Sequence, residues 1–311
     1  MIVRRRRAVP PHLYFVVSAV FHYLGPAFAV LLFARLDALG VAWLRIASAA
    51  AIFAAWRRPW SGRAWTRTAD GGGRRLVLAW GAVLALMNVC FYLAIDRLPL
   101  GTVAAIEFLP VVALAAAGAR TAGNLLALAG AVGGVYLVTD VRLGGEPAGI
   151  GFAFANALLF AAYIVLGHRV ASRAGASAGI DGLAMAMLIA AAVATPIGGW
   201  QALPALADPV ALAAGIGVGV ASSVIPYVTD QLAMARLGRA TYALLVSLLP
   251  ATATVIGVLV LAQVPTWREL AGVALVVAGV ALHREPGQPA LRPGRGRAAP
   301  SGPRRPCTGS R

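Results

Sequence analysis

Apolar residues occur along this chain in long blocks rather than in the alternation of a half-buried strand or the one-sided stripe of a soluble helix. Ten stretches are apolar nearly throughout: 13–33, 39–56, 75–95, 98–119, 122–139, 149–167, 181–200, 210–231, 240–262 and 268–283. A helix crosses the hydrocarbon layer with roughly 20 apolar residues, within about 17–25. The pattern therefore predicts an all-α membrane protein of ten transmembrane helices. Arg45 interrupts the second stretch and Glu107 the fourth. The connections are too short to house a soluble domain, apart from the linker at 57–74. Arg4 to Arg7 ahead of an apolar run resemble the start of a signal peptide. The run at 13–33 is too long for that role and no A-x-A site closes it, so it is expected to be the first retained span.

Composition agrees: 60% of residues are hydrophobic, 12% are charged, and the mean hydropathy is +0.79. All 27 basic residues are Arg, and the formal charge is +16. Clustered Arg neutralises phosphates in nucleic-acid binders, but here the Arg residues sit in short loops and tails between apolar runs. They also give direction, because cytoplasmic loops collect positive charge. With ten spans and a cytoplasmic N-terminus, 22 Arg fall inside and only Arg35, Arg97, Arg142 and Arg268 fall outside. Asp37, Asp96, Asp140, Glu146, Asp208 and Glu269 fall outside. Both termini are thus expected in the cytoplasm, in the inner membrane of a bacterium with a GC-rich genome. The basic N-terminus is 1–12. The tail at 284–311, rich in Arg, Pro and Gly, is expected to be a disordered anchor near anionic lipid. Cys90 and Cys307 lie too far apart to imply a disulfide framework or a zinc site.

The two halves resemble each other at a period near 140 residues. Tyr23 and Tyr163 hold matching places, and AIDRLPLGT at 94–102 parallels AMARLGRAT at 233–241. A helix with a central proline follows each, at Pro110 and Pro250. GGVYLV in span five stands beside AGVALH in span ten. Five spans per half, 13–140 and 149–283, make the repeats inverted, as in many secondary transporters whose substrate site lies near the midplane between halves.

WLRIASAA at 43–50 and RLPLGTVAAIEFLPVVAL at 97–114 resemble the EamA-type modules of the drug/metabolite transporter superfamily. Within it, the second half is similar to the threonine/homoserine exporter branch. It carries S-S-x-x-P-Y as Ser222, Ser223, Pro226 and Tyr227, then Arg236, Leu237, Thr241, Tyr242, Leu248 and Pro250 of R-L…T-[FY]…L-x-P. The resemblance spans about residues 13–283. Two departures stand out. The branch's G-E-x-x-[ST] is here Ala262, Gln263, Val264, Pro265, Thr266, and its E-F-x-G-P is shortened to Glu107, Phe108, Leu109, Pro110.

Glu107 is the leading candidate for chemistry. It lies about nine residues, or roughly 13 Å, into its span. A carboxylate at that depth is costly unless protonated, paired or facing water. A group alternating between those states suits proton coupling; the alternative is a protonated acid bridging two helices. Arg45 pairs with Glu107, clamps a substrate carboxylate, or snorkels to the headgroups. Asp230 and His22 are further ionisable candidates, each also readable as a packing residue. Asn88, Asn156, Tyr163, Ser222, Ser223 and Tyr227 are candidate hydrogen-bonding groups. Pro26, Pro110, Pro226 and Pro250 are expected to kink their helices and free the carbonyls of His22, Ile106, Ser222 and Val246. In a membrane such carbonyls must find protein, water or ligand. Glycine pairs Gly130/Gly134 and Gly215/Gly219 are expected to let helices pack closely.

No nucleotide-binding loop is recognisable, since GGG at 71–73 lacks the Lys and context of a Walker A motif. No cofactor, metal or nucleic-acid partner is expected; the expected partners are a small-molecule substrate, protons and membrane lipid, to a monomer or homodimer. The reading is a proton-coupled exporter of a small polar metabolite, with threonine or homoserine implied by the resemblance. A membrane-embedded lipid-modifying enzyme and a passive channel are the alternatives.

Overall fold

A computed structural model of the chain describes residues 10–59, 71–118, 121–140, 146–174, 176–234 and 248–282. Among the described residues every regular element is helical. The helices are α1 (Pro11–Leu32), α2 (Ala38–Arg57), α3 (Gly71–Ile95), α4 (Leu100–Gly118), α5 (Ala122–Asp140), α6 (Pro147–Ala174), α7 (Ala176–Ala194), the short α8 (Leu203–Ala207), α9 (Pro209–Gly219), α10 (Ile225–Met234), α11 (Leu249–Leu261) and α12 (Trp267–Leu282). A π-turn at Thr195–Gly199 follows α7 and a second, at Val220–Val224, joins α9 to α10. Among the described residues six helical segments are long and apolar enough to cross a membrane: Leu13–Leu32, Ala38–Arg57, Gly72–Ile95, Pro147–Gly167, Asp181–Gly199 and Pro209–Thr229. Leu100–Pro110, Ala122–Leu137 and Leu249–Leu261 are shorter apolar helices.

Local chemistry sets the helix ends. α1 opens on Pro11, whose missing N–H costs nothing in a first turn. Asp208 caps α9 by accepting from the backbone N–H groups of Val210 and Ala211 at 3.0 and 3.1 Å. Thr266 and Glu269 form a reciprocal capping box on α12, with Thr266 N donating to Glu269 Oε2 at 2.7 Å and Glu269 N donating to Thr266 Oγ1 at 3.3 Å.

The helices are apolar on all sides, so composition alone does not choose an inner face. Small residues choose it. Gly134 lies against α12 so closely that a Cβ there would stand 2.5 Å from the Gly272 carbonyl. Gly215 and Gly219 face α2 in the same way, so both glycine pairs contribute to packing between helices, although Gly130 only grazes Leu275. α5 packs on α12, α3 on α6 and α7, α2 on α7 and α9, α1 on α10 and α11, and α4 on α6 and α11. Tyr23, Tyr92, Phe53, Leu84 and Ile106 fill the centre, while Leu126, Leu158 and Leu259 point outward. Such an apolar exterior suits lipid rather than water.

Candidate functional site

Glu107 lies midway along α4 and is 5% exposed. Asn156 of α6, fully buried, donates through Nδ2 to Glu107 Oε1 at 3.3 Å. Two more buried polar atoms belong to this neighbourhood: the Asn156 Oδ1, and the hydroxyl of Tyr23 on α1, within electrostatic reach of Glu107. Neither has a protein hydrogen-bond partner. Buried polar atoms are nearly always satisfied, so each of these atoms calls for a partner from water or a polar ligand.

Arg45 of α2 is 7% exposed and is held by the broken helix opposite. Its Nε donates to Ser223 Oγ and its Nη2 to the Ser222 carbonyl, each at 3.1 Å. The guanidinium lies 5.5 Å from the centre of the Tyr92 ring on α3, a cation–π contact. Among the described residues no ion pair within 4 Å joins Arg45 to Glu107. The headgroup-snorkelling alternative for Arg45 is corrected here: its guanidinium is buried among Ser222, Ser223 and Tyr92.

The other candidates separate. His22, half-buried, meets Tyr23 edge-on at 5.2 Å. Asn88 turns back on its own helix, donating to the Leu84 carbonyl at 2.7 Å. Tyr163 stacks on Trp80 at 5.6 Å and on Phe160 at 6.5 Å, and Phe160 meets Phe108 at 6.2 Å. These four rings form a column that ends at the neighbour of Glu107. Tyr227 packs at the edge of the core between α2, α3 and α7. Asp230 belongs to α10, but its side chain lies outside the described residues. Pro26 and Pro110 sit inside α1 and α4. Pro226 follows the second π-turn, and Pro250 is in the first turn of α11; Val246 lies outside the described residues. Among the described residues no three His, Cys, Asp or Glu side chains gather as metal ligands.

Tyr92 and the Tyr23 hydroxyl are the participants that sequence reasoning did not single out for the site. Tyr23 had a signal in its repeat mate Tyr163; Tyr92 had none, because its contact with Arg45 crosses between helices. Gln263, noted only as a departure from the branch pattern, accepts from the Leu100 backbone N–H at 3.1 Å and so caps α4.

A lipid-suited helical bundle with an acid, a cation and unsatisfied polar atoms in its middle is the construction of a multi-pass membrane transporter. Residues 147–284 match the model of the EamA-like transporter family. The chain is 32% identical over 273 residues to the threonine/homoserine exporter RhtA of Salmonella typhimurium LT2, covering 84% of this chain and 88% of that protein. It is 32% identical over 260 residues to RhtA of Escherichia coli K12, covering 82% and 84%. A solved crystal structure, 20% identical, shares the fold with a TM-score of 0.55 over 87% of this chain and 97% of its own. The chain belongs to the EamA-like transporters of the drug/metabolite transporter superfamily, in the threonine/homoserine exporter branch. It is a transporter and not an enzyme.

Proposed function

We propose that this protein exports a small amino acid, threonine or homoserine, from the bacterial cytoplasm in exchange for protons, with Glu107 as the proton-binding group. The observation that carries the reading is the buried Glu107–Asn156 contact, with the Asn156 Oδ1 and Tyr23 hydroxyl left for a polar ligand beside it. One carboxyl can then hold either a proton or the substrate's ammonium group, and that competition is antiport. The RhtA relatives, threonine/homoserine exporters, support the choice of substrate.

Ten spans in two inverted repeats, 13–140 and 149–283, fit the helix pairings. Exchanging each span for the one five later turns α3 on α6 into α9 and α10 on α1, α3 on α7 into α9 on α2, and α4 on α6 into α11 on α1. The pairs α2 on α7, α4 on α11 and α5 on α12 map onto themselves. In this reading the two halves rock about the Glu107 site, and both termini face the cytoplasm.

The test is reconstitution in liposomes, following labelled threonine and homoserine against an imposed pH gradient. Gradient-driven flux in the wild type and its loss in Glu107→Gln, with folded yield retained, is the expected result. Flux that survives the substitution removes Glu107 from the mechanism. No flux of either amino acid removes the substrate assignment.

A further inference from the structure

At the end of the bundle where α3 closes and α4 opens, a cavity of about 400 Å³ lies between the 96–99 turn, the 262–266 turn and the first turns of α4 and α12. That size is within the ~300–1,000 Å³ of small-molecule sites. Asp96, Arg97, Thr102, Gln263 and Glu269 supply its polar lining, and Val30 and Val273 an apolar wall. α4 and α11 touch at its inner end, Gly101 against Thr254. Arg97 Nη1 contacts Asp96 Oδ2 at 3.2 Å and donates to the Leu93 carbonyl at 2.7 Å. The two charged side chains remain 32% and 37% exposed. A guanidinium has five donors in a plane, and both of these contacts use the same nitrogen.

The chemistry facing this space is two-signed. Arg97 presents a guanidinium, which favours an anion. The first turn of α4 is already capped, Leu100 N donating to Gln263 Oε1 at 3.1 Å and Thr102 N to the Pro99 carbonyl at 3.0 Å. Asp96 presents a carboxylate beside the guanidinium, while Glu269 is held in its capping box. Arg97 and Asp96 neutralise each other at 3.2 Å, so a lone anion or a lone cation adds an unbalanced charge beside the pair. A short molecule bearing both charges on one carbon satisfies both.

We infer that this cavity is a second amino-acid site on the transport path. There Arg97 takes the α-carboxylate, Asp96 takes the α-ammonium, and the Val30/Val273 wall takes a short side chain. The inference rests on the amino-acid reading above, in the orientation that places the cavity on the outer face.

The experiment uses full-length protein in proteoliposomes with Cys90→Ser and Cys307→Ser. Val264, an exposed residue of the cavity rim, is changed to Cys and labelled with a membrane-impermeant maleimide. Millimolar threonine is expected to slow labelling several-fold, whereas acetate and ethylamine, each with one charge, leave it unchanged. Arg97→Gln is expected to remove the protection without altering the unprotected rate. Absence of protection while threonine flux is intact overturns the site and leaves the exporter reading standing. Equal protection by acetate, or protection that persists in Arg97→Gln, also overturns it. Protection without any threonine flux overturns the placement on a transport path together with the exporter reading; absence of both removes both.

Discussion

Arg45 and Ser222, 177 residues apart, meet through a 3.1 Å hydrogen bond from a buried guanidinium to a backbone carbonyl. The carbonyl is the one Pro226 leaves without its helical donor four residues on. Nε of the same guanidinium holds the Ser223 hydroxyl at 3.1 Å. One planar side chain of α2 therefore pins two of the five residues of the π-turn that breaks the α9–α10 span. Gly219 lets this happen: a Cβ there would stand 2.8 Å from the Arg45 carbonyl, so any larger residue pushes the two helices apart.

Removing this clamp should be seen first in stability. Arg45→Ala strands the Ser222 carbonyl in an apolar interior, at a cost of about 1–3 kcal/mol, read as a lower unfolding midpoint in detergent. Arg45→Lys should recover only part of it, since an ammonium cannot present two donors in the guanidinium's plane. Ser223→Ala, losing one hydrogen bond, should cost about 1 kcal/mol. Full stability in Arg45→Ala with a raised half-saturation for substrate would instead make Arg45 a substrate clamp.

The helical segments were legible because block hydrophobicity is a local property, and so was the Ser222 carbonyl, because proline chemistry acts four residues away. The donor that satisfies it was not legible. Nothing near Arg45 in the chain announces Ser222, and the choice among Glu107, a substrate and the headgroups depended on how two halves of the molecule meet. Asn156 shows the same limit: its amide was visible as one of several polar groups, but its facing Glu107 follows from α6 crossing α4. The π-turn at Val220–Val224 left no separate signal in an apolar run that reads as one span.

Asn156→Leu tests the second of these long-range contacts. It removes the 3.3 Å donor to Glu107 Oε1 while keeping a side chain of similar size. The buried carboxyl then has one fewer group to support its charged form, so the pH profile of gradient-driven flux should move relative to the wild type. An unmoved profile, with flux intact, would separate Asn156 from the transport site.

Asp208 gives a pH-dependent contribution outside the spans. The backbone N–H of Ala211, first, and the Arg35 guanidinium at 2.9 Å hold its carboxyl below the usual carboxylate range. A carboxyl with a depressed folded-state pKa stabilises the fold above the unfolded value and loses that contribution as pH falls through the folded one. Asp208→Ala should therefore lower the unfolding midpoint at about pH 5–8, with the gap to wild type closing as the pH falls below about 4, the ordinary Asp value. A gap that persists unchanged in acid would show that the carboxylate charge is not what stabilises this turn.

The 262–266 turn departs from the branch pattern at two adjacent positions, and the structure gives each a separate physical effect. Ala262 closes α11 in the left-handed conformation, at φ 53° and ψ 28°. A Cβ there costs about 1–2 kcal/mol that glycine avoids, less the larger entropy glycine loses on folding, so Ala262→Gly should raise stability by about 0.5–1 kcal/mol. Gln263 caps α4 with a neutral oxygen. Gln263→Glu places a carboxylate at that N-terminus and should add about 0.3–1 kcal/mol, lost in acid as the group protonates. Gln263→Ala leaves the Leu100 N–H without its acceptor and should cost about 1 kcal/mol. Unfolding midpoints in detergent at neutral and acid pH distinguish the two effects, because only the Gln263→Glu gain depends on pH. A Gln263→Glu variant with unchanged stability but altered threonine affinity would assign the branch's glutamate to the substrate instead of to the α4 cap.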